Sequence, residues 1–411
     1  MLNDVAKMKP RTQQSLHVAV ICRELGGQGS VPAVALRQAQ ELARYARVTL
    51  VSDSFPKNAD PCLLRYLVIP ANFSFLRRFS HVPQELAFAF AVKRCLSRLQ
   101  EQGAELDFVH CHGHSLVAIA ASSFRGRFKV PCGLVAHGTA VPRGTYDWRL
   151  TKFFEWADPR GYAQADLIVA LSPFMRERAI ASGADPGKIE VIPHGIEIEE
   201  IGLPALKFAV NDGTTAIDNS RDGLKVLFVG TLNAQKGVDI LIQAVKRLKS
   251  DNIRFSMRII GNGPLRTELE RLIALYGLSS EVVLYGSISR RDLGKWYRWA
   301  DVTCVPSTDE PLGMVVLESL VAGTPIVASA VGGIPFMVQD EVNGLLVFPR
   351  DPDALASALA RISREPAFLE QLKQASTPSV LPRFSWRRNA EDLIRAIDKI
   401  MNYREAELSR N

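Results

Sequence analysis

The chain has 411 residues, 47% of them hydrophobic, and carries 50 Lys and Arg against 43 Asp and Glu. Such a chain can bury large cores and is long enough for two domains. No run of about 18 apolar residues occurs, which excludes a membrane-spanning helix, and the six cysteines form no C-x-x-C pair.

The opening stretch, MLNDVAKMKPRTQQS, is polar and lacks the apolar centre of a signal peptide, so a cytoplasmic chain is expected. LHVAVIC (residues 16–22) reads as the first strand. A loop containing Gly26, Gly27 and Gly29 follows, with Ser30 as a helix N-cap and Pro32 in the first turn of a helix reaching Arg44. VTLVS, FVHCH, CGLVAH and LIVALS read as further strands. Amphipathic segments between them give the alternation of a parallel α/β sheet. Cys22, Cys132 and Cys304 lie in apolar strand-like runs and are expected as buried, reduced thiols.

Three features of this half bear on partners. Residues 1–150 hold 19 Lys and Arg against 10 Asp and Glu, so all the excess positive charge lies here. NFSFLRRFSHVP (residues 72–83) sets Phe73, Phe75, Leu76 and Phe79 beside Arg77 and Arg78. Aromatic and basic residues together suit an anionic bilayer, which gives a peripheral contact at the inner membrane surface and an anionic or lipid-linked acceptor. The alternative is a helix edge whose phenylalanines pack inward while the arginines stay solvated. No nucleic-acid partner is expected. His110, His112 and His114 share a face if their strand continues, which superficially resembles a metal site. No carboxylate or cysteine follows at ligand spacing, so no metal is expected.

NDGTTAIDNSRDG (residues 211–223) breaks the α/β pattern with turn formers. The domain switch is placed near residue 205, with one domain over 1–205 and a second over 206–383. LKVLFVG (residues 224–230) opens the second, and VGTLNAQKG (residues 229–237) carries Lys236 past its carboxyl end. Ligands bind outside the carboxyl ends of strands in open α/β sheets, so Lys236 is placed to meet a diphosphate. A solvated loop lysine is the alternative. Residues 309–333 read DEPLGMVVLESLVAGTPIVASAVGG and separate Glu310 from Glu318 by seven residues. PLGMVVLESLVAG (residues 311–323) is expected to be one helix, with Pro311 at its start and Gly323 at its αL cap. Its start offers the amides of Gly313, Met314 and Val315 to a phosphate. Glu318, about a turn inside, could accept both hydroxyls of a ribose. A nucleotide-diphosphate ligand follows. FSWRRNAEDLIRAIDKIM (residues 384–401) reads as a closing amphipathic helix.

These segments, in this order, resemble the retaining glycosyltransferases of family 4. Glu310 and Glu318 match the E-x7-E signature. VGTLNAQKG, IIGNGP (residues 259–264), LYGSISR (residues 284–290), GTPIVASAVGGIP (residues 323–335) and NGLLV (residues 343–347) match the motifs around it. LSPFMRERAIASGADPGKIEVIPHGI (residues 171–196) resembles the family's entry to the second domain, and the likeness spans residues 16–401. It implies the GT-B fold, two Rossmann-like α/β domains facing a central cleft, with a final helix (residues 384–411) crossing back to the first. The first domain would bind the acceptor and the second the donor. Glu310 would contact the transferred sugar, as would His137 in GLVAHGTAVP, whose alternative role is a packed strand-end histidine. Gly230, Thr231, Gly261, the backbone at Ser287 and Ile288, and Gly27 complete the implied donor-binding set.

Two positions depart from the family pattern. Thr231 stands where an arginine is usual, so Lys236 would hold the leaving group largely alone. Phe336 stands where an acidic residue is common. The implied activity is sugar transfer, with retention, from a nucleotide-diphosphate sugar to a hydroxyl of a glycan, lipid-linked or small-molecule acceptor. It needs no cofactor and no metal, because Lys236 and the helix dipole take a divalent ion's place. Two alternatives differ in what they need. A GT-B nucleotide-sugar 2-epimerase works without acceptor, and a catalytically silent nucleotide-sugar-binding protein neither hydrolyses nor transfers.

Overall fold

The computed structural model describes residues 16–23, 25, 30–54, 65–68, 81–103, 105–113, 130–137, 148–203 and 223–408. Gly26, Gly27, Gly29 and His114 lie outside these residues, as do residues 72–80 and 211–222. The chain divides into two compact units, residues 1–194 with 386–411, and residues 195–385.

The first unit contains β1 (His17–Cys22), α1 (Ser30–Leu42), β2 (Arg47–Ser52), β3 (Arg65–Val68) and α2 (His81–Glu101). It continues through β4 (Phe108–His112), β5 (Cys132–Ala136), α3 (Trp148–Gln164), β6 (Leu167–Ala170), α4 (Pro173–Ala181) and β7 (Ile189–Val191). Its strands form a parallel sheet in the order β3-β2-β1-β4-β5-β6-β7. Strands covered on both faces must be apolar throughout, which is why HVAVIC and CGLVA do not alternate with polar residues. Ile21, Val109, Cys111, Leu134 and Ile168 pack with Phe88, Val92 and Leu96 of α2 in one core. The strand order reverses between β1 and β4, and β4 ends at His112 rather than running on to residue 114.

The second unit contains β8 (Leu224–Val229), α5 (Val238–Ser250), β9 (Phe255–Ile260), α6 (Arg266–Leu275), β10 (Val282–Gly286) and α7 (Leu293–Trp299). Then come β11 (Val302–Val305), α8 (Met314–Val321), β12 (Ile326–Ser329), α9 (Ile334–Met337), β13 (Gly344–Val347), α10 (Pro352–Arg364) and α11 (Pro366–Val380). The sheet is parallel in the order β10-β9-β8-β11-β12-β13, reversing between β8 and β11. In α5, Val238, Leu241, Ile242, Val245 and Leu248 recur at helical spacing and are all buried on one sheet face. Asp351 caps α10 by accepting from the amides of Asp353 and Ala354, with Pro352 next to it.

The unit begins earlier than residue 205. The Ile196 amide donates to the Phe384 carbonyl at 2.8 Å, tying the strand exit to the far end of the same unit. The segment from Trp386 to Leu408, α12, belongs to the first unit, where Gln38 Nε2 donates to Asn389 Oδ1 at 2.8 Å and Tyr45 donates to Glu391 at 3.2 Å. Among the described residues no helix is long and apolar enough to cross a membrane. Cys22, Cys132 and Cys304 are buried.

The helix expected from Pro311 starts three residues later, at Met314. Gly313 is its N-cap, with φ 98° and ψ 66°, a left-handed conformation that interrupts any helix through it. The Glu310 carbonyl, which such a helix would need, instead accepts from the Gly333 amide at 2.8 Å. Gly323 does lie in the left-handed region, at φ 85°, as a helix-ending glycine should.

Candidate functional site

In the second unit the loops that leave the carboxyl ends of β8 and β11 meet where the strand order reverses. Such switch points open a crevice in parallel sheets. Asn233 caps a short 3-10 turn, Ala234–Lys236, by accepting from the Lys236 amide at 3.1 Å. That turn carries the lysine side chain across to the β11 loop. Lys236 Nζ lies 2.5 Å from Glu310 Oε2, which also accepts from the Ser307 hydroxyl at 3.3 Å. Two further bonds lock the loops together. Thr308 N donates to the Gln235 carbonyl at 2.8 Å, and Gln235 Nε2 donates to the Asp309 carbonyl at 3.0 Å.

Glu318 lies in α8 and is 5% exposed. Arg290 Nε donates to its Oε1 at 3.0 Å and the Tyr297 hydroxyl to its Oε2 at 2.8 Å. Each oxygen keeps a second lone pair, which is what a vicinal diol needs. Burial pushes the Glu318 carboxyl above its ordinary pKa, and Arg290 and the Tyr297 hydrogen bond pull against it. Burial also raises the Tyr297 phenol well above its usual range. Arg290 reaches Glu200 as well, at 3.3 Å, so the reader carboxylate sits in a four-residue network. Neither Arg290 nor Tyr297 was marked by sequence spacing. Arg290 closes the LYGSISR motif, the one local signal for it.

The remaining expected residues are spread over several places. Gly313, Met314 and Val315 lie at the start of α8, whose first N–H groups lack acceptors within the helix. Gly230 and Gly261 touch: the Gly230 amide donates to Ile260 O at 2.9 Å, and a Cβ on Gly261 would run into the Gly230 carbonyl oxygen. Thr231 and Ser287 are exposed, and Ile288 packs against the cluster of Leu293, Trp296 and Trp299. His137 is in the first unit, directly after β5. Gly27 lies outside the described residues.

Phe336 is a packing residue. Its ring meets Phe384 edge-on at 5.5 Å, and the Arg383 guanidinium lies 5.1 Å from its centroid while donating to its carbonyl at 3.0 Å. It pins the outgoing chain to α9, a job an acidic side chain there could share only through Arg383.

His110 and His112 both face Gln38, with Nε2 to Oε1 distances of 3.0 and 2.7 Å. Burial lowers the His110 pKa to about 3, with repulsion from His137 second, and it lowers His112 well below the ordinary value. Unfolding returns His110 to a pKa near 6.5, so below that pH the unfolded chain takes up a proton that the folded chain refuses. Stability is therefore full above about pH 6.5 and falls on acidification toward the folded value. His110 alone should remove about 2 kcal/mol by pH 5, and His112 acts in the same direction. Urea midpoints at pH 7.5 and pH 5 check this, and His110→Asn should flatten the slope. Equal slopes in both proteins would contradict it.

Residues 31–200 match the family model described as Glycosyltransferase Family 4, and residues 216–377 match that described as Glycosyl transferases group 1. An uncharacterized glycosyltransferase of Methanocaldococcus jannaschii is 30% identical over 327 residues, which cover 78% of this chain and 82% of that protein. The D-inositol 3-phosphate glycosyltransferase of Geodermatophilus obscurus is 30% identical over 338 residues, covering 77% and 71%. Sucrose-phosphate synthase from Thermosynechococcus elongatus aligns with a TM-score of 0.77 at 22% identity, covering 94% of this chain and 100% of that one. Anabaena HepE in complex with UDP aligns with a TM-score of 0.72 at 16% identity, covering 93% and 100%. The structural likenesses establish the fold as GT-B, and the sequence matches establish kinship. The chain belongs to the family 4 glycosyltransferases.

Proposed function

We propose that this glycosyltransferase moves a sugar, with retention, from a nucleotide-diphosphate sugar to an acceptor hydroxyl. One observation carries the proposal: the switch point of the second sheet holds a Lys236–Glu310 ion pair, and α8 joins it to the buried carboxylate of Glu318. The ribose hydroxyls donate to Glu318. The diphosphate takes the amides of Gly313, Met314 and Val315 and the Lys236 ammonium, and Glu310 faces the transferred sugar. Backbone groups at Gly230, Gly261, Ser287 and Ile288 line the donor, with Thr231 supplying one neutral donor.

As the anomeric C–O bond breaks, negative charge builds on the leaving diphosphate, and that oxygen accepts the proton of the incoming hydroxyl on the same face. Lys236 and the start of α8 stabilise that charge where a metal ion could otherwise act. On the family resemblance, His137 contacts a hydroxyl of the transferred sugar. Structures of HepE with UDP and with UDP-glucose support the donor class. The acceptor is anionic in this proposal. The basic residues 1–150 and the relatives named for D-inositol 3-phosphate support it.

Thermal melting with UDP, GDP and ADP in parallel tests the donor. A nucleotide at 100 times its dissociation constant stabilises by about 2.7 kcal/mol, a shift of several degrees. One nucleotide should stand out, and its sugar should turn over only with acceptor present. No shift with any of them overturns the reading. Acceptor-free conversion to an epimer would make the protein an epimerase instead.

A further inference from the structure

The carboxylate proposed to read the ribose lies where burial works against its charge. A protonated carboxyl carries its own O–H and gives up the charge that makes it a strong acceptor, so it reads a diol poorly. Glu318 stays a reader only if donors hold it ionised and in place.

Two donors reach it from different elements, and they are not equivalent. Arg290 Nε meets Oε1 at 3.0 Å, but this side chain is about a third exposed, and its Nη2 is shared between Glu318 at 3.0 Å and Glu200 at 3.3 Å. Water and a second carboxylate therefore compete for the guanidinium. The Tyr297 hydroxyl meets Oε2 at 2.8 Å from a fully buried ring, packed in α7 with Ile201, Leu203, Leu227 and Ile260. Its backbone is tied to the end of α8. Thr324 Oγ1 donates to the Tyr297 carbonyl at 2.6 Å, and Thr324 N donates to the carbonyl of Ser319, the residue after Glu318, at 3.0 Å. These bonds fix the hydroxyl relative to the carboxylate. Burial keeps the phenol protonated, so it remains a donor across the working pH range.

The other side chains bonded to α8 are neutral. Thr303 of β11 accepts from the Ser319 hydroxyl at 2.7 Å, and Thr377 of α11 donates to the carbonyls of Leu320 and Val321 at 3.1 and 3.2 Å. Among the described residues, the titratable groups that bear on Glu318 are Arg290 and Tyr297, with Glu200 behind Arg290.

We infer that Tyr297 is a positioning residue, whose hydroxyl holds Oε2 and so fixes the plane in which Glu318 presents both oxygens to the ribose. The inference rests on the proposed role of Glu318.

The probes are whichever of UDP, GDP and ADP raises the melting temperature most, and its 2′,3′-dideoxy analogue, titrated calorimetrically across a range of pH. Wild type should bind the ribonucleotide about tenfold or more tightly than the analogue. Tyr297→Phe should lose about fivefold of that preference while binding the analogue within about twofold of wild type, which shows an intact diphosphate site. What preference remains should vanish at a higher pH than in wild type, because a donor that favours the charged carboxyl is gone. Adding Tyr297→Phe to Glu318→Gln should change the preference by less than about twofold, since the hydroxyl acts through the carboxylate. If Tyr297→Phe alone does not fold, the double variant should fold again, because it no longer buries a carboxylate short of a donor. An unchanged preference or an unchanged pH dependence in Tyr297→Phe overturns the role of Tyr297 and leaves Glu318 as the reader. So does a further loss in the double variant, or its failure to restore folding. Wild type without any ribose preference overturns the reading of Glu318 itself, and this inference with it.

Discussion

Lys236→Ala is expected to slow transfer by about a hundredfold or more, the scale seen when a preorganised donor to developing charge is removed. The reason is local: Thr231 brings no charge to the loop, so Lys236 is the ammonium that the β8 loop contributes beside Glu310. The same substitution also leaves Glu310, 8% exposed, with the Ser307 hydroxyl but without its cation. That structural cost complicates a single mutant. Lys236 is itself a quarter exposed, so solvent screens the pair and the stability loss should stay near 1 kcal/mol. Lys236→Ala with Glu310→Gln removes the orphaned charge. Its melting temperature should return toward wild type while activity does not. Transfer rates within threefold of wild type in Lys236→Ala would show that the leaving group is stabilised elsewhere.

Gly261→Ala should destabilise the second unit by about 3 kcal/mol or more. Gly261 has φ 141°, and its missing Cβ is where the Gly230 carbonyl oxygen passes. Two backbones approach here because the Gly261 amide donates to Gly286 O at 2.8 Å while Gly230 N donates to Ile260 O. These bonds draw the ends of β8, β9 and β10 together under the proposed diphosphate. Neither backbone can yield without losing one of them. Gly277→Ala is the control, since Gly277 has φ 65° with nothing within 4 Å of its Cβ position. It should cost only about 1–2 kcal/mol, the price of the left-handed conformation alone. Urea denaturation of the two variants checks the difference. Equal midpoints would mean the loops separate easily.

The strands were legible because buried parallel strands leave continuous apolar runs, such as LHVAVIC and LKVLFVG. The position of Lys236 beyond β8 followed from the same run. The helix at residues 314–321 was legible as a helix but not in its start. Gly313 reads equally as an early helical residue or as a left-handed cap, and only the Gly333–Glu310 hydrogen bond decides. Arg290 and Tyr297 lie 28 and 21 residues from Glu318, separations with no periodic signature. Gln38 and Asn389 are 351 residues apart, and nothing local to either announces the other. The same holds for Phe336, whose partners Arg383 and Phe384 arrive from beyond α11. Side chains that meet by tertiary packing are invisible to spacing, whereas loops placed by a strand are not.

The central claim is that Glu318 reads the ribose of a nucleotide diphosphate. Calorimetric titration of wild type and Glu318→Gln with the preferred nucleoside diphosphate and its 2′,3′-dideoxy analogue tests it most directly. Wild type should prefer the ribonucleotide by about 1.5–3 kcal/mol, the worth of hydrogen bonds to a charged acceptor. Glu318→Gln should lose most of that preference and bind the dideoxy form about as wild type does. The preference should also fade on acidification, at a higher pH than an ordinary glutamate would give, because burial raises the Glu318 pKa. An undiminished preference for ribose in Glu318→Gln would contradict the account.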